Sequence, residues 1–314
     1  MPMRPIRLFI LTSLAMISFA GNSLLCRSAL KDTAIDAANF AFIRITTGAV
    51  ALWLILAVRN RRAEATVDDR RTPGTWSSAL ALFAYAAAFS FAYLSLSAGT
   101  GALLLFGAVQ ATMIFWGLRR GERLRALRLF GLVVASGGLV ALLFPGLSAP
   151  PLGGSILMLG AGVAWGIYSL RGKTGGDPVA ATAGNFLRAV LCAAVLSIAL
   201  LPWANLDRAG IGYAVLSGAL ASGVGYAIWY AALPSLKAAS AATVQLSVPV
   251  LAAAGGILLL GEPLTFRFVV ASIAVLGGIA LVVIAPRKLR PRLADTLRAG
   301  PSENIRADLR DPRL

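Results

Sequence analysis

Long stretches of this chain carry almost no charge, and that absence sets the fold class. About ten runs of roughly 20 residues pass with few or no acidic or basic side chains. A helix of that length crosses a bilayer core of about 30 Å. A water-soluble helix would show an apolar stripe and an opposite polar face. These runs are apolar all round, so the solvent outside them is lipid. The expectation is an all-α integral membrane protein of about ten transmembrane helices. The predicted spans are 7–26, 36–58, 77–97, 99–118, 126–145, 153–171, 178–201, 210–233, 237–260 and 265–285.

The charges outside the runs give an orientation. The formal net charge is +16, which by itself would suit nucleic acid. The arginines, however, cluster in short loops and in the tail, not on one amphipathic face. With the N-terminus in the cytoplasm, the inner segments hold 23 Lys and Arg and the outer loops hold 4, namely Arg27, Lys31, Arg208 and Arg267. Without the tail the bias is still 15 against 4. Positive loops stay inside, so both termini are expected in the cytoplasm, in an inner (plasma) membrane. Arg4 and Arg7 before an apolar run, with the small-x-small Ser18-Phe19-Ala20, have the look of a cleavable leader. The repeat described next argues against cleavage, because it gives span 1 a partner in span 6.

Gly121-Glu122, Leu124 and Gly137-Gly138 recur as Gly261-Glu262, Leu264 and Gly277-Gly278, always 140 residues on. Earlier in each half the offset is 144, pairing Arg27 with Arg171, Phe42 with Phe186 and Arg44 with Arg188. Tyr93 and Leu96 match Tyr230 and Leu233 at 137. Offsets change near loops, where insertions are tolerated. The chain thus divides into a first five-helix repeat over 1–149, a second over 150–287, and a basic cytoplasmic tail over 288–314 expected to be disordered. Five is odd, so the two repeats are inverted, a plan that recurs in secondary transporters.

Several short stretches carry a family resemblance. They are Phe19-Ala20-Gly21-Asn22 in span 1, Phe42-Ile43-Arg44 in span 2, Ala164-Trp165-Gly166-Ile167-Tyr168 in span 6 and Phe186-Leu187-Arg188 in span 7. The two Gly-Glu pairs and Pro249 in span 9 fit as well. With both repeats, nearly the whole chain resembles the drug/metabolite transporter superfamily, in its EamA-type branch. The resemblance implies a ten-span inner-membrane carrier in which spans 1–4 and 6–9 line a central cavity and spans 5 and 10 stand outside it. It implies cargo such as amino acids, nucleosides, sugars or amphipathic drugs. The first repeat has Val109 where the second has Pro249, so the halves are expected to bend differently.

The residues themselves offer a site. Arg44 and Arg188 lie inside spans, where a charge is costly and by default marks a cavity or pathway. Each is read either as an anchor for an anionic group or as a structural arginine on free helix carbonyls. Asn22, Gln110, Trp165, Tyr168 and Gln245 are further substrate-binding candidates, since uncharged hydrogen-bonders beside aromatic rings suit an amphipathic solute. Each also has a bland alternative, as a membrane-interface aromatic or as polar glue between helices.

Other chemistry is poorly represented. Cys26 and Cys192 give neither a disulfide framework nor metal spacing, and the chain has no histidine. No carboxylate lies deep in a span, so neither a membrane-embedded enzyme nor a metal site is expected. No phosphate-binding Gly-rich loop is present, and no cofactor is expected. Glu122 and Glu262 precede spans 5 and 10, where the free N–H groups of a helix start favour an ionised carboxylate. They are expected to be structural, together with Pro249, and transport to proceed without a buried proton relay, with Asp32 and Asp36 as exceptions. The function expected is a facilitator, exchanger or exporter of a small organic solute working by alternating access. Its partners are that solute and the lipid bilayer, not nucleic acid, with a homodimer left open. The alternatives are a non-transporting scaffold or sensor, and a carrier of anionic solutes using Arg44 and Arg188.

Overall fold

The computed structural model describes residues 4–62, 74–119, 126–146, 149–172, 177–236 and 244–284. Glu122 and the 288–314 tail lie outside the described residues. Among these residues there are ten helices and no strand: α1 Pro5–Asp32, α2 Ala37–Arg62, α3 Trp76–Ala92, α4 Ala98–Arg119, α5 Ala126–Leu143, α6 Leu152–Arg171, α7 Pro178–Ala199, α8 Arg208–Ser235, α9 Ser247–Leu260 and α10 Phe266–Ile284. Seven are long and apolar enough to cross a bilayer. Large apolar side chains such as Phe9, Trp53, Phe130, Leu258 and Phe266 are exposed, as they are on a lipid-facing surface. The protein is an all-α integral membrane protein.

Differences from the predicted spans have local causes. α1 continues past the expected 26 to Asp32, because Arg27 and Lys31 near its end reach neighbouring helix ends while still helical. α3 stops at Ala92, short of the expected 97, because Tyr93 starts a tight corner. Its ring lies where a side chain on Gly101 would be, and its hydroxyl donates to the Ala98 carbonyl at 3.3 Å. α8 is not regular: Ser217–Val224 is wound as a π-helix. The sequence there is SGALASGV, whose two Gly and two Ser lower the propensity for a regular α-helix.

α9 departs from its partner in the first repeat. Span 9 was expected from 237, of which 237–243 lies outside the described residues. Leu246 is a turn, and the helix runs from Ser247. Pro249 lacks an N–H, and its ring crowds the carbonyl four residues back. That carbonyl belongs to Gln245. Pro249 therefore sits in the first turn of a helix, where a missing N–H costs nothing. At the equivalent position Val109 lies in the interior of an unbroken α4.

The packing respects exchange of the two repeats. α3 on α6 answers α8 on α1; α4 on α6 answers α9 on α1; α2 on α8 answers α7 on α3. The pairs α2–α7, α4–α9 and α5–α10 map onto themselves. Close crossings rest on small residues, which let backbones meet where lipid offers no hydrophobic drive. Gly131 and Gly278 face each other's carbonyls at the α5–α10 crossing, and Gly162 faces the Leu105 carbonyl at the α4–α6 crossing.

Candidate functional site

A cavity of about 230 Å³ lies in the middle of the bundle. Its walls come from α1, α3, α4, α6 and α8, with Gln245 ahead of α9. Among the described residues α5 and α10 contribute nothing to it. The resemblance had also put α2 and α7 in the lining, and they stand one layer back. They pack on each other and on α8, with Gly218 of α8 pressed against the Arg44 carbonyl. That close contact leaves no gap for a solute.

Aromatic rings make a large part of the wall. Trp165 stacks on Tyr226 at 5.3 Å between centroids and on Tyr168 at 5.3 Å, and meets Tyr85 at 4.9 Å. Phe19 closes on Tyr226 and Trp229. Asn22, Gln110, Trp165 and Gln245 line the cavity. Tyr168 does not: it backs Trp165, with its hydroxyl within 3.4 Å of Thr182 Oγ1 and 3.5 Å of Asn185 Nδ2. Tyr226 is the ring common to four aromatic pairs. The sequence reading missed it because nothing distinguishes one tyrosine of span 8 from a membrane-interface residue. Its signal was the spacing to Tyr230, one helical turn away.

One polar network serves this cavity. Arg44 is 2% exposed. Its Nη2 donates to the Tyr85 hydroxyl at 3.0 Å, and its guanidinium lies 4.8 Å from the Phe89 ring centre and 5.3 Å from that of Tyr85. Its Nη1 has no hydrogen-bond partner among the described residues. Asn22 Nδ2 also points at the Tyr85 hydroxyl, at 3.4 Å, and Asn22 Oδ1 accepts from Ser217 Oγ at 2.7 Å. Ser217 is the first residue of the π-helical stretch. Arg188 is not part of the network. Its Nη1 donates to the Gly184 carbonyl of its own helix at 2.9 Å, in space left by Gly74 and Gly184. The two arginines that the repeat pairs are therefore not brought together.

The lining runs to Gly172 and Leu233, at the ends of α6 and α8. In the other direction a polar cluster closes it. Arg27 pairs with Glu262 at 3.2 Å and donates to the Tyr93 carbonyl at 2.8 Å, while Lys31 donates to the Leu260 carbonyl at 3.0 Å. Glu262 was expected to serve the start of α10. Instead Thr265 Oγ1 accepts the Phe268 N–H there at 3.2 Å. Glu262 accepts the Ala98 N–H, at 2.8 and 3.1 Å to its two oxygens, and so caps α4. The reason is Gly261, whose φ of +61° ends α9 in a left-handed turn with the Glu262 N–H on the Gly256 carbonyl. That turn aims the carboxylate across the bundle. A second cavity of about 180 Å³ lies beside Glu262, lined by Ser95, Ser97, Thr100 and Thr265 among others.

Outside the membrane-spanning helices, the helices that carry the two arginines are each capped by an aspartate. Burial alone would raise the pKa of Asp36. The N–H groups of Asn39, Asn205 and Ala38 and the Asn39 amide outweigh it and hold the group below its ordinary value. Asp177 is likewise lowered against the effect of burial, by Arg59 and the Val179 N–H.

The family model for the EamA-like transporter family matches residues 152–284. An uncharacterized protein of Pseudomonas aeruginosa is 58% identical over 296 residues, covering 94% of this chain and 98% of its own. The threonine/homoserine exporter RhtA of Salmonella typhimurium is 32% identical over 134 residues, 40% of this chain and 44% of its own. An uncharacterized transporter of Archaeoglobus fulgidus is 29% identical over 195 residues, 60% of this chain and 68% of its own. One solved crystal structure aligns with a TM-score of 0.61 at 17% identity, over 90% of this chain and 99% of the other, a likeness of fold.

Proposed function

The chain belongs to the EamA-like transporter family, which makes it a multi-pass membrane transporter of small molecules, and from that premise we propose a secondary carrier working by alternating access in the inner membrane. The solute is a small amphipathic metabolite, held in the aromatic cavity between α1, α3, α4, α6 and α8. Both termini face the cytoplasm, so the cavity opens inward and the Arg27–Glu262 cluster closes the outer end.

One observation carries this reading. The central cavity ends at a polar closure, and a second cavity lies beside that closure. Closures of this kind exchange ends when one inverted repeat rocks against the other. The repeat-exchange symmetry of the packing supports two alternative states of similar energy. The absence of a carboxylate within the spans supports facilitated movement or exchange over proton coupling.

The test is flux. Purified protein in liposomes should exchange a radiolabelled solute with its unlabelled form, starting with threonine and homoserine, the cargo named for the Salmonella relative, and going on to larger aromatic metabolites. Saturable counterflow is expected for at least one of them. Failure of every solute to accumulate above protein-free liposomes, with folded and ligand-binding protein, would favour the scaffold or sensor reading.

A further inference from the structure

We infer that the cavity takes an amphipathic organic acid, whose carboxylate is bound directly by the Tyr85 hydroxyl with the Arg44 charge behind it. The inference rests on this cavity being the solute site. It names the chemical class and the residue that selects it.

The argument begins with the valence of one oxygen. A tyrosine hydroxyl has two acceptor lone pairs and one hydrogen to donate. At Tyr85 both lone pairs are engaged, by Arg44 Nη2 at 3.0 Å and Asn22 Nδ2 at 3.4 Å. The amide oxygen of Asn22 is occupied by Ser217. Among the described residues nothing accepts the Tyr85 hydrogen. Tyr85 lines the cavity, so this hydrogen is free to meet a solute acceptor there. Two donors on the oxygen, one of them cationic, withdraw electron density and make the O–H a stronger donor.

Charge gives the second argument. A guanidinium never loses its proton in a protein, and a charge at membrane depth is costly to hold without a partner. The ion pairs of the described residues, Arg27–Glu262 and Arg59–Asp177, both lie at helix ends. Arg44 has two aromatic faces and one hydroxyl, and its Nη1 is buried without a partner. The rings compensate only part of a desolvated cation. An anion arriving at Tyr85 supplies the missing countercharge. Trp165, Tyr226, Trp229 and Phe19 add ring surface to the wall, which suits a flat or branched apolar body.

The experiment measures binding to the full-length protein in detergent, using acids and their uncharged amides of the same shape: indole-3-propionate against indole-3-propionamide, and 4-phenylbutyrate against 4-phenylbutyramide. At pH 7 the acids should bind about tenfold or more tighter than the amides, the size of one charge-assisted hydrogen bond. In Tyr85→Phe, which keeps the ring, acid affinity should fall by more than amide affinity, because the amide carbonyl accepts the same hydrogen without a charge, and the preference should shrink to about twofold, as a merely structural tyrosine would not allow. Arg44→Lys, which keeps the charge, should retain part of the preference. Equal affinity for acid and amide, binding of neither, or a preference that survives Tyr85→Phe would each overturn the inference. None of these outcomes bears on flux, so failure here leaves the transport proposal to its own test.

Discussion

The two halves that the sequence repeat pairs pack alike but differ in their polar contacts. Arg44 and Arg188 are equivalent by sequence, each on the second helix of its repeat, each behind an aspartate cap. Arg44 is buried against Tyr85, and Arg188 folds back on its own helix. The offset that pairs Tyr93 with Tyr230 pairs Tyr85 with Ser222. Serine is much shorter than tyrosine, and Arg188 Nη1 bonds the Gly184 carbonyl of its own helix instead. The fourth helices of the two halves differ in the same sense. α4 is unbroken through Val109, whereas α9 starts just before Pro249 and leaves Gln245 at the cavity. The packing is symmetric, and a few side-chain differences leave only one of the paired arginines beside the cavity.

The largest test exchanges the residues that make the helices unlike. Val109→Pro puts a proline in the interior of α4, where it removes a hydrogen bond and clashes with the preceding turn, at a cost of about 3 kcal/mol or more. Thermal unfolding of the purified variant should show a severe loss. Pro249→Val should change stability by about 1 kcal/mol at most, because the first turn has no bond to lose. Equal losses would mean that α9 continues through Leu246 as α4 does through Val109.

Arg44→Gln and Arg188→Gln compare the two arginines. Arg44 acts on the acid through the Tyr85 hydroxyl, so Arg44→Gln should remove most of the acid-over-amide preference and weaken acid binding by about tenfold. Arg188→Gln should leave it within about twofold, since a half-buried arginine on its own helix contributes little. Calorimetry on both folded variants decides. Similar losses from the two would restore the symmetric reading of the site.

Glu262→Gln addresses the closed end. The carboxylate joins Arg27 of α1 to the N-terminus of α4, and a neutral amide loses the ion pair. A cysteine at Ser97, with Cys192→Ala and with Cys26 buried, should then react with an impermeant maleimide about tenfold faster. An unchanged rate would show that the outer end is held by packing alone.

The smallest effect concerns the caps. The folded pKa values of Asp36 and Asp177 are lowered. Their contribution to stability is therefore fully present above the unfolded value of about 3.9 and is lost as pH falls through the lower folded values. Melting temperature should be flat from about pH 5 to 7 and fall below about pH 4. Asp36→Asn should cost more than Asp177→Asn, because the Arg59 partner of Asp177 is half exposed. A reversed order would mean that the exposed ion pair matters more than the backbone donors.

What the sequence determined alone was the one-dimensional part: helices in lipid, their number and near edges, the repeat, and the family resemblance. Hydropathy and helix length are local sums, so they survive without coordinates. Even there Glu262 was assigned to the wrong helix, since a left-handed turn at Gly261 decides where it points. Of the site, Asn22, Gln110, Trp165 and Gln245 were legible as polar or aromatic residues inside apolar runs. Only the tertiary structure joined Asn22, Tyr85 and Ser217 to Arg44, across separations of 41 to 195 residues, and left Arg188 out. The reason is physical. A helix bathed in lipid is apolar on every side, so its pattern does not say which face turns inward. Close packing at small residues and the pairing of buried polar groups set that rotation, and both exist only once the helices have met.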